Sequence, residues 1–271
     1  MTAATKALTV QSESPGTAVV PAGLLDLVKG YDGGGVSDLA QADRVTPFIG
    51  LVQGLSPQID PQKPGYLEDA KIGFLFNTVT GEVYDGGEGL RVIPVLFQKA
   101  WNQWIPRKQG GGFLGSYADP ELKQPIFVPP NGSEYDGPVD TMETANWFVL
   151  AEGKDGTWAP AIISMTSTKL KASRKWGTLT LINSNKYKTN ALFVRIYTIT
   201  SASETNEKGT FANYVIKDTD FVTPELFAMA TELRKMVQMG MVRADMTKST
   251  EVADAASDAA DEVGADGKPK Y

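Results

Sequence analysis

Apolar and polar positions alternate along the middle of the chain, and this two-residue period is typical of β-strands. The alternation is cleanest in residues 191–200, and residues 211–218 follow as a partner strand. Flanking glycine and proline residues delimit the other candidates. The predicted strands are residues 48–52, 72–76, 90–99, 147–150, 159–165, 191–200 and 211–218. Residues 78–84 are predicted to form a hairpin or turn.

The strand at residues 90–99 is apolar at most positions on both faces. This composition predicts a strand that is buried on two sides rather than one. Pro94 has no backbone N–H and cannot donate to a ladder of hydrogen bonds, so it predicts a position away from the centre of a sheet.

Residues 169–183 are predicted to form a first α-helix, with Ser167 and Thr168 as candidate N-caps. The β-branched Thr178, Thr180 and Ile182 weaken this prediction. One face of the helix is predicted to contain Leu170, Ser173 or Arg174, Gly177 and Leu181.

A second helix has clearer signals. Thr223 is a candidate N-cap, Pro224 occupies the first helical position, and Glu225 favours the first turn. Gly240 is suited to end the helix. An apolar stripe at helical spacing, predicted to pack on the body, consists of Leu226, Met229, Leu233, Met236 and Val237.

The remaining segments show neither the two-residue period of a strand nor the apolar spacing of a helix. Residues 1–43 are predicted to be a flexible arm, residues 110–138 a long loop, and residues 201–209 a shorter loop. Residues 245–271 are rich in Ala, Asp, Ser and Glu, which predicts a disordered acidic tail. Residues 44–244 then form the folded domain. The order of elements favours a mainly β fold with α, namely an OB-like β-barrel followed by a C-terminal helix.

The chain of 271 residues contains no cysteine and no histidine. Zinc sites built on these residues, cysteine nucleophiles, Ser-His-Asp triads and disulfides are therefore excluded. Carboxylates that hold Mg²⁺ remain as a route to catalysis. The candidates, which show no recurrent catalytic spacing to a Lys or Tyr, are Glu134, Asp136, Asp140 and Glu143, and Asp218 with Asp220. The sequence thus predicts no enzymatic activity and no cofactor.

The formal net charge of −6 is unevenly distributed. Residues 245–271 contain seven acids and three bases, so −4 of the charge lies there and −2 in the rest of the chain. No apolar run is long enough to cross a bilayer, and the first residues do not resemble a signal peptide. These features predict a cytoplasmic protein with no membrane partner.

Residues 91–113 combine cations and aromatic rings without any acid. Such a patch is typical of single-stranded nucleic acid binding, because rings stack on bases and cations follow the phosphates. Trp101 and Trp104 are three positions apart and would face opposite sides of a regular strand. Gly110–Gly112 would let the backbone approach a phosphate, or would form a plain flexible loop. The candidate residues are Lys99, Trp101, Trp104, Arg107, Lys108 and Phe113.

Residues 156–203 also lack acids and contain seven cations interleaved with aromatic residues. This window indicates a surface for a polyanion, and a solvated basic face without a ligand is the alternative. The candidate residues are Lys169, Lys171, Arg174, Lys175, Trp176, Lys186, Tyr187, Lys188, Arg195 and Tyr197.

From Pro47 to about Ile199 the chain resembles a group of tailed-bacteriophage proteins. The segments that carry this resemblance are residues 76–85, 92–95, 104–107, 110–113, 167–171 and 174–176. Some proteins of this kind resemble phage single-stranded DNA-binding proteins, which have an OB fold and an acidic tail that ends in an aromatic residue. Tyr271 matches that last feature, whereas Lys268 and Lys270 depart from it.

The resemblance implies a single-stranded DNA-binding protein that coats and protects strands during phage replication or recombination in the host cytoplasm. The acidic tail would recruit replication or recombination proteins, or would shield the basic groove of the body. Two alternatives stay open: a virion structural or assembly protein, and a DNA-mimicking inhibitor of a host nuclease. Formation of a homo-oligomer is also left open.

Overall fold

The computed structural model describes residues 44–129, 132, 134–207 and 209–248. Of Arg107 and Lys248 it describes only the backbone. The predicted arm at residues 1–43 and residues 249–271 of the predicted tail lie outside this part. The described strands are β1 (Ile49–Leu51), β2 (Leu75–Asn77), β3 (Val83–Tyr84), β4 (Leu90–Trp104), β5 (Phe113–Tyr117), β6 (Pro125–Phe127), β7 (Asp140–Glu152), β8 (Trp158–Thr166), β9 (Arg195–Asn206) and β10 (Gly209–Phe221). The described α-helices are α1 (Leu170–Tyr187) and α2 (Pro224–Gln238).

The larger sheet is antiparallel and is centred on β4. One edge of β4 pairs with β7 along most of its length, and β7 pairs in turn with β8. The opposite edge is shared: Leu90–Val92 pair with β9, and Trp101–Trp104 pair with β5. Strand β10 extends the sheet beyond β9, and β6 extends it beyond β5. The smaller sheet contains β1, β2 and β3.

The chain around β1 links the two outer strands β8 and β10. The Ile162 N–H donates to the Pro47 carbonyl at 2.9 Å, and Phe48 forms a parallel bridge with Ile162. At the other outer strand, the side-chain amide of Gln53 makes two hydrogen bonds of 3.0 Å with the backbone of Ala212. The described strands form no closed barrel, so the prediction of a mainly β fold with α is confirmed and the OB-like barrel is not.

One face of the larger sheet wraps around a core that α1 completes. Trp176 of α1 is fully buried, and its ring stacks on Trp147 of β7 at 4.3 Å between centroids. Tyr197 of β9 meets the same Trp176 ring edge-on at 5.8 Å. The Trp147 indole N–H donates to Ser173 Oγ at 2.9 Å. Helix α1 therefore belongs to the core and is not an appendage.

The opposite face of the sheet is covered by α2 and the residues after it. Ala230 and Leu233 of α2 pack with Ile93 and Val95 of β4. Met246, which lies beyond the predicted tail boundary at Asp245, is buried against Phe48, Phe148 and Ile162. Helix α2 begins as predicted, because the Thr223 side chain accepts a hydrogen bond from Leu226 N at 3.3 Å. The folded part of the chain therefore extends past the predicted domain end.

Three local predictions are wrong. The predicted loop at residues 110–138 contains β5 and β6, and the predicted loop at residues 201–209 is mostly strand, because β9 and β10 pair from Gly209↔Asn206 onwards. Strand β4 is central in the sheet, although Pro94 predicts a position away from the centre. On one edge of β4, the register with β7 shifts between Pro94 and Leu96. On the other edge, the pairing with β9 ends at Val92, before Pro94. A β-bulge tolerates a missing donor at such a point.

The start and the buried face of α1 also differ from the prediction. Lys169 precedes the helix, and Thr166 precedes the 3-10 turn (Ser167–Lys169) that leads into it. Neither side chain makes a hydrogen bond that caps the following turn. The buried residues of α1 are Ala172, Ser173, Trp176 and Thr180, whereas Leu181 is exposed. Small residues on this face let the helix lie close to the sheet. No helix of the described residues is long and apolar enough to span a membrane.

Candidate nucleic-acid interface

The second half of β4 carries an aromatic and basic surface on the same face of the sheet as α1. Phe97, Lys99 and Trp101 alternate along the strand, so their side chains point to one side. The Phe97 ring is 4.8 Å from Trp147, which fixes that side as the one that α1 covers. Tyr117 of β5 lies directly opposite Trp101 and extends the surface. We call these four residues the β4 surface.

The β4 surface is partly open to solvent. Phe97 is 43% exposed, and the rings of Trp101 and Tyr117 are half-buried. The Lys99 ammonium is 5.2 Å from the Trp101 ring centroid and 2.9 Å from the Glu143 carboxylate of β7. Lys99 is therefore held beside the indole, and a phosphate would have to compete with Glu143 for it.

Trp104 and Phe113, which were predicted with Trp101, lie on the other face of the sheet. Their rings pack against each other at 5.0 Å, and Phe113 is buried. The Trp104 indole nitrogen is buried and has no hydrogen-bond partner among the described residues. Lys108 is exposed in the turn between β4 and β5. Of the site residues predicted in 91–113, Lys99, Trp101 and Lys108 thus lie at the surface. Trp104 and Phe113 belong to the core.

The outward side of α1 is basic. Lys171, Arg174 and Lys175 are exposed in the first half of the helix, and Lys186 is exposed near its end. Lys188 follows in a left-handed conformation with φ of 51° and is exposed as well. None of these five cations forms an ion pair with another described residue. Within the part of the chain that the structure describes, no carboxylate therefore offsets their positive charge.

Two predicted aromatic residues of the second window are not available. Trp176 and Tyr197 are fully buried, so neither ring can stack on a base in this conformation. The Tyr197 hydroxyl accepts a hydrogen bond from Asn183 Nδ2 at 2.9 Å, and burial raises the pKa of Tyr197 to about 12. Lys169 lies near the ring of Tyr214, at 5.6 Å from its centroid.

A second aromatic cluster lies at the end of α1. The Tyr187 ring meets Phe221 of β10 edge-on at 5.2 Å, and the Arg195 guanidinium is 4.0 Å from the Phe221 centroid. Arg195 Nε donates to Asp218 Oδ1 at 2.7 Å, so this cation already has a carboxylate partner. Phe221 itself is more than half exposed. We call Tyr187, Arg195 and Phe221 the Phe221 cluster.

The structure brings these pieces together along α1. The β4 surface adjoins the first half of the helix through Trp147, and the Phe221 cluster adjoins its last turn through Tyr187. On the helix itself, the exposed cations Lys171, Arg174 and Lys175 precede Trp176, and Lys186 lies beside Tyr187. An 18-residue helix is about 27 Å long, so this face of the sheet combines two aromatic groups with two groups of cations that lie near opposite ends of the helix.

Phe97, Tyr117 and Phe221 are absent from the residues predicted for the site. The pattern Phe97-x-Lys99-x-Trp101 could have revealed the first of them, since a two-residue period places all three on one face. Tyr117 lies on a strand that the sequence does not predict, and Phe221 lies three residues beyond the predicted end of its strand. Among the described residues no three acidic side chains are close enough to hold a metal ion.

The described residues define an antiparallel β protein whose main sheet carries one helix on each face. Residues 17–243 match the model of the family described as Pam3 phage gp34-like protein, and the chain therefore belongs to this phage protein family. No curated protein and no solved structure matches the chain. The predicted resemblance to phage proteins is confirmed at this level, and the resemblance to single-stranded DNA-binding proteins stays a prediction.

Proposed function

We propose that this phage protein binds single-stranded DNA along the α1 face of its main sheet. One observation carries the proposal: the partly exposed rings of the β4 surface and of the Phe221 cluster share the α1 face with outward cations of α1 that have no carboxylate partner among the described residues. Rings that stack on bases and cations that follow phosphates bind single strands without reading their sequence. Coating of strands exposed in replication or recombination is the role that such binding would serve.

An OB-like origin of the fold is part of this proposal. Antiparallel strands in the order β10-β9-β4-β7-β8 wrap around one core, and the chain from Pro47 to Gln53 links the two outer strands. A five-stranded, partly open barrel with a binding surface for oligonucleotides is the OB arrangement. These contacts support an OB-like relationship for the strand order, although α1 and α2 cover much of both faces.

Trp101 is the residue that tests the proposal. We expect Trp101→Ala to weaken binding of oligo-dT by about 5- to 150-fold, since one stacked base contributes roughly 1–3 kcal/mol. Trp101→Phe keeps an aromatic ring and should bind within about threefold of the unaltered chain, but should lose most of the quenching of tryptophan fluorescence. Binding is measured independently by the anisotropy of a labelled oligo-dT.

Trp158 provides the matched control. Its indole is half-buried at the start of β8, and the Arg91 guanidinium lies 5.6 Å from its centroid, away from α1. Trp158→Phe should leave both affinity and quenching unchanged. Absence of oligo-dT binding at low salt would contradict the proposal, as would an affinity that Trp101→Ala does not alter. Large regular assemblies in the absence of DNA would instead favour the virion-assembly alternative.

A further inference from the structure

One flank of α2 carries methionines that the described part of the chain leaves uncovered. Met229 is 43% exposed and Met239, which caps the helix, is 71% exposed, while Met236 between them is partly buried. Met236 follows Met229 by seven positions, and Met239 follows Met236 by three. This spacing places the three methionines on one side of the helix. Met241 follows just beyond the helix and is also exposed.

This methionine flank is distinct from the face that anchors α2. Leu226, Ala230, Leu233 and Val237 pack on the sheet, and they are displaced around the helix from Met229 and Met239. Met236 also packs at the edge of this apolar cluster, whereas Met229 and Met239 are not part of it. Methionine side chains are flexible and polarizable, and exposed groups of them are frequent at surfaces that bind other proteins.

The charges beside the methionines are complementary to those of a second copy of the chain. Glu232 and Lys235 are exposed on this flank and form an i,i+3 ion pair at 3.1 Å. Within α2 and its first turn two acids, Glu225 and Glu232, balance two bases, Arg234 and Lys235, so two copies would not repel each other. A surface with both signs side by side is complementary to itself when it is turned by two-fold symmetry.

We propose that α2 packs antiparallel against α2 of a second copy through this methionine flank. An axis near position 234 sets Met229 opposite Met239 of the other copy. The same axis brings Lys235 within about one residue, roughly 1.5 Å along the helix, of Glu232 of the other copy. Lys235 of each copy then forms an ion pair with Glu232 of the other copy. These two pairs replace the Glu232–Lys235 pair within each helix.

The expected dimer is weak and reversible. Helix α2 has 15 residues and is about 22 Å long, which gives a smaller contact than the roughly 1,600 Å² of a standard stable interface. Dissociation in the micromolar range therefore follows, and the dimer should form as the concentration of the chain rises. This inference does not depend on DNA binding.

Sedimentation velocity of the full chain without DNA, over a concentration series, tests the inference. Met239→Lys should weaken self-association by at least about tenfold, because it places two cations at an apolar contact. Glu232→Lys alone and Lys235→Glu alone should each weaken it, and the double exchange should restore it. Ile72→Lys is the matched control, since Ile72 is 60% exposed on a different element.

Two results would overturn the inference. One is a chain that stays monomeric at every concentration. The other is a dimer whose dissociation constant is unchanged by Met239→Lys, or changed equally by Ile72→Lys. Circular dichroism of each variant at the same temperature shows whether it is folded, and the exchange variant provides a second readout that a loss of fold could not mimic.

Discussion

Trp101 and Trp104 have opposite surroundings although only three positions separate them on β4. Trp101 is half-buried beside Lys99 on the α1 face, whereas Trp104 packs with Phe113 on the other face. The cause is the two-residue period of a strand, which the sequence already indicates. What the sequence does not indicate is which of the two faces is covered at this end of β4. The cluster that packs against Trp104, which includes Phe48 and Phe113, decides that.

The two tryptophans should therefore differ in their effect on stability. Trp104→Ala is expected to lower the free energy of unfolding by about 3 kcal/mol, because it leaves a cavity beside Phe113. Trp101→Ala removes fewer buried contacts and should lower it by about 1 kcal/mol or less. Urea denaturation followed by circular dichroism measures both values. Equal losses for the two variants would contradict the assignment of the faces.

The ion pairs of the cations are a second feature of single residues that the sequence does not predict. Residues 156–203 contain no acid, yet Arg195 is paired with Asp218, which follows that window in the sequence. Lys99 is likewise paired with Glu143 from β7. A local count of charges finds the cations correctly but cannot find carboxylates that neighbouring strands supply. Among the described residues, the outward cations of α1 have no carboxylate partner, because only the inward side of this helix meets the sheet.

At the scale of elements, the sequence predicts most strands and both helices but not all of their limits. Hydrophobic periodicity finds β4, β7 and β8 because they are long and buried. It misses β5 and β6, since these short strands are held mainly by pairing with β4 and with each other. The buried face of α1 was also predicted wrongly. Ala172, Ser173 and Thr180 around Trp176 give almost no apolar period.

Helix α1 should determine the salt dependence of DNA binding. Replacing Lys171, Arg174 and Lys175 by alanine removes three exposed cations, while Ala172, Ser173 and Trp176 keep the packing. Each phosphate contact on a single strand contributes about −0.7 to the slope of log K against log salt. The triple variant should therefore bind more weakly at low salt, with a slope shallower by up to about 2.

The matched control for α1 removes cations elsewhere. Lys63 and Lys123 are exposed on loops outside the proposed interface, and each is already paired with a nearby carboxylate. The variant with alanine at these two positions should keep the slope of the unaltered chain. Titrations of labelled oligo-dT between about 50 and 300 mM salt compare the three proteins. An unchanged slope in the triple variant would exclude α1 from the interface.

At the scale of the whole molecule, the two faces of the main sheet differ in charge. Helix α1 presents cations to solvent, whereas α2 presents balanced charges and methionines. Binding of a polyanion and contact with a second copy are therefore proposed for opposite faces and would not compete. Composition predicts the two acid-free basic stretches and the acidic end of the chain. It does not predict this division, because the division arises from the sheet that separates the helices.

Residues 249–271 contain six acids and two bases, so ending the chain at Lys248 changes the formal net charge from −6 to −2. We expect this truncated chain to bind oligo-dT more tightly, by several-fold at about 50 mM salt. The gain should shrink at about 300 mM salt, because tethered acids that repel phosphates or occupy the cations of α1 are screened there. Anisotropy titrations at both salt concentrations give the two ratios.

A full-length variant with the six acids changed to their amides is the control for this effect of charge. The altered positions are Glu251, Asp254, Asp258, Asp261, Glu262 and Asp266. If charge is the cause, this variant should reproduce the gain of the truncated chain, although its length is unchanged. A gain that appears only on truncation would show that the length of the segment matters, and a gain that salt does not reduce would exclude an electrostatic origin.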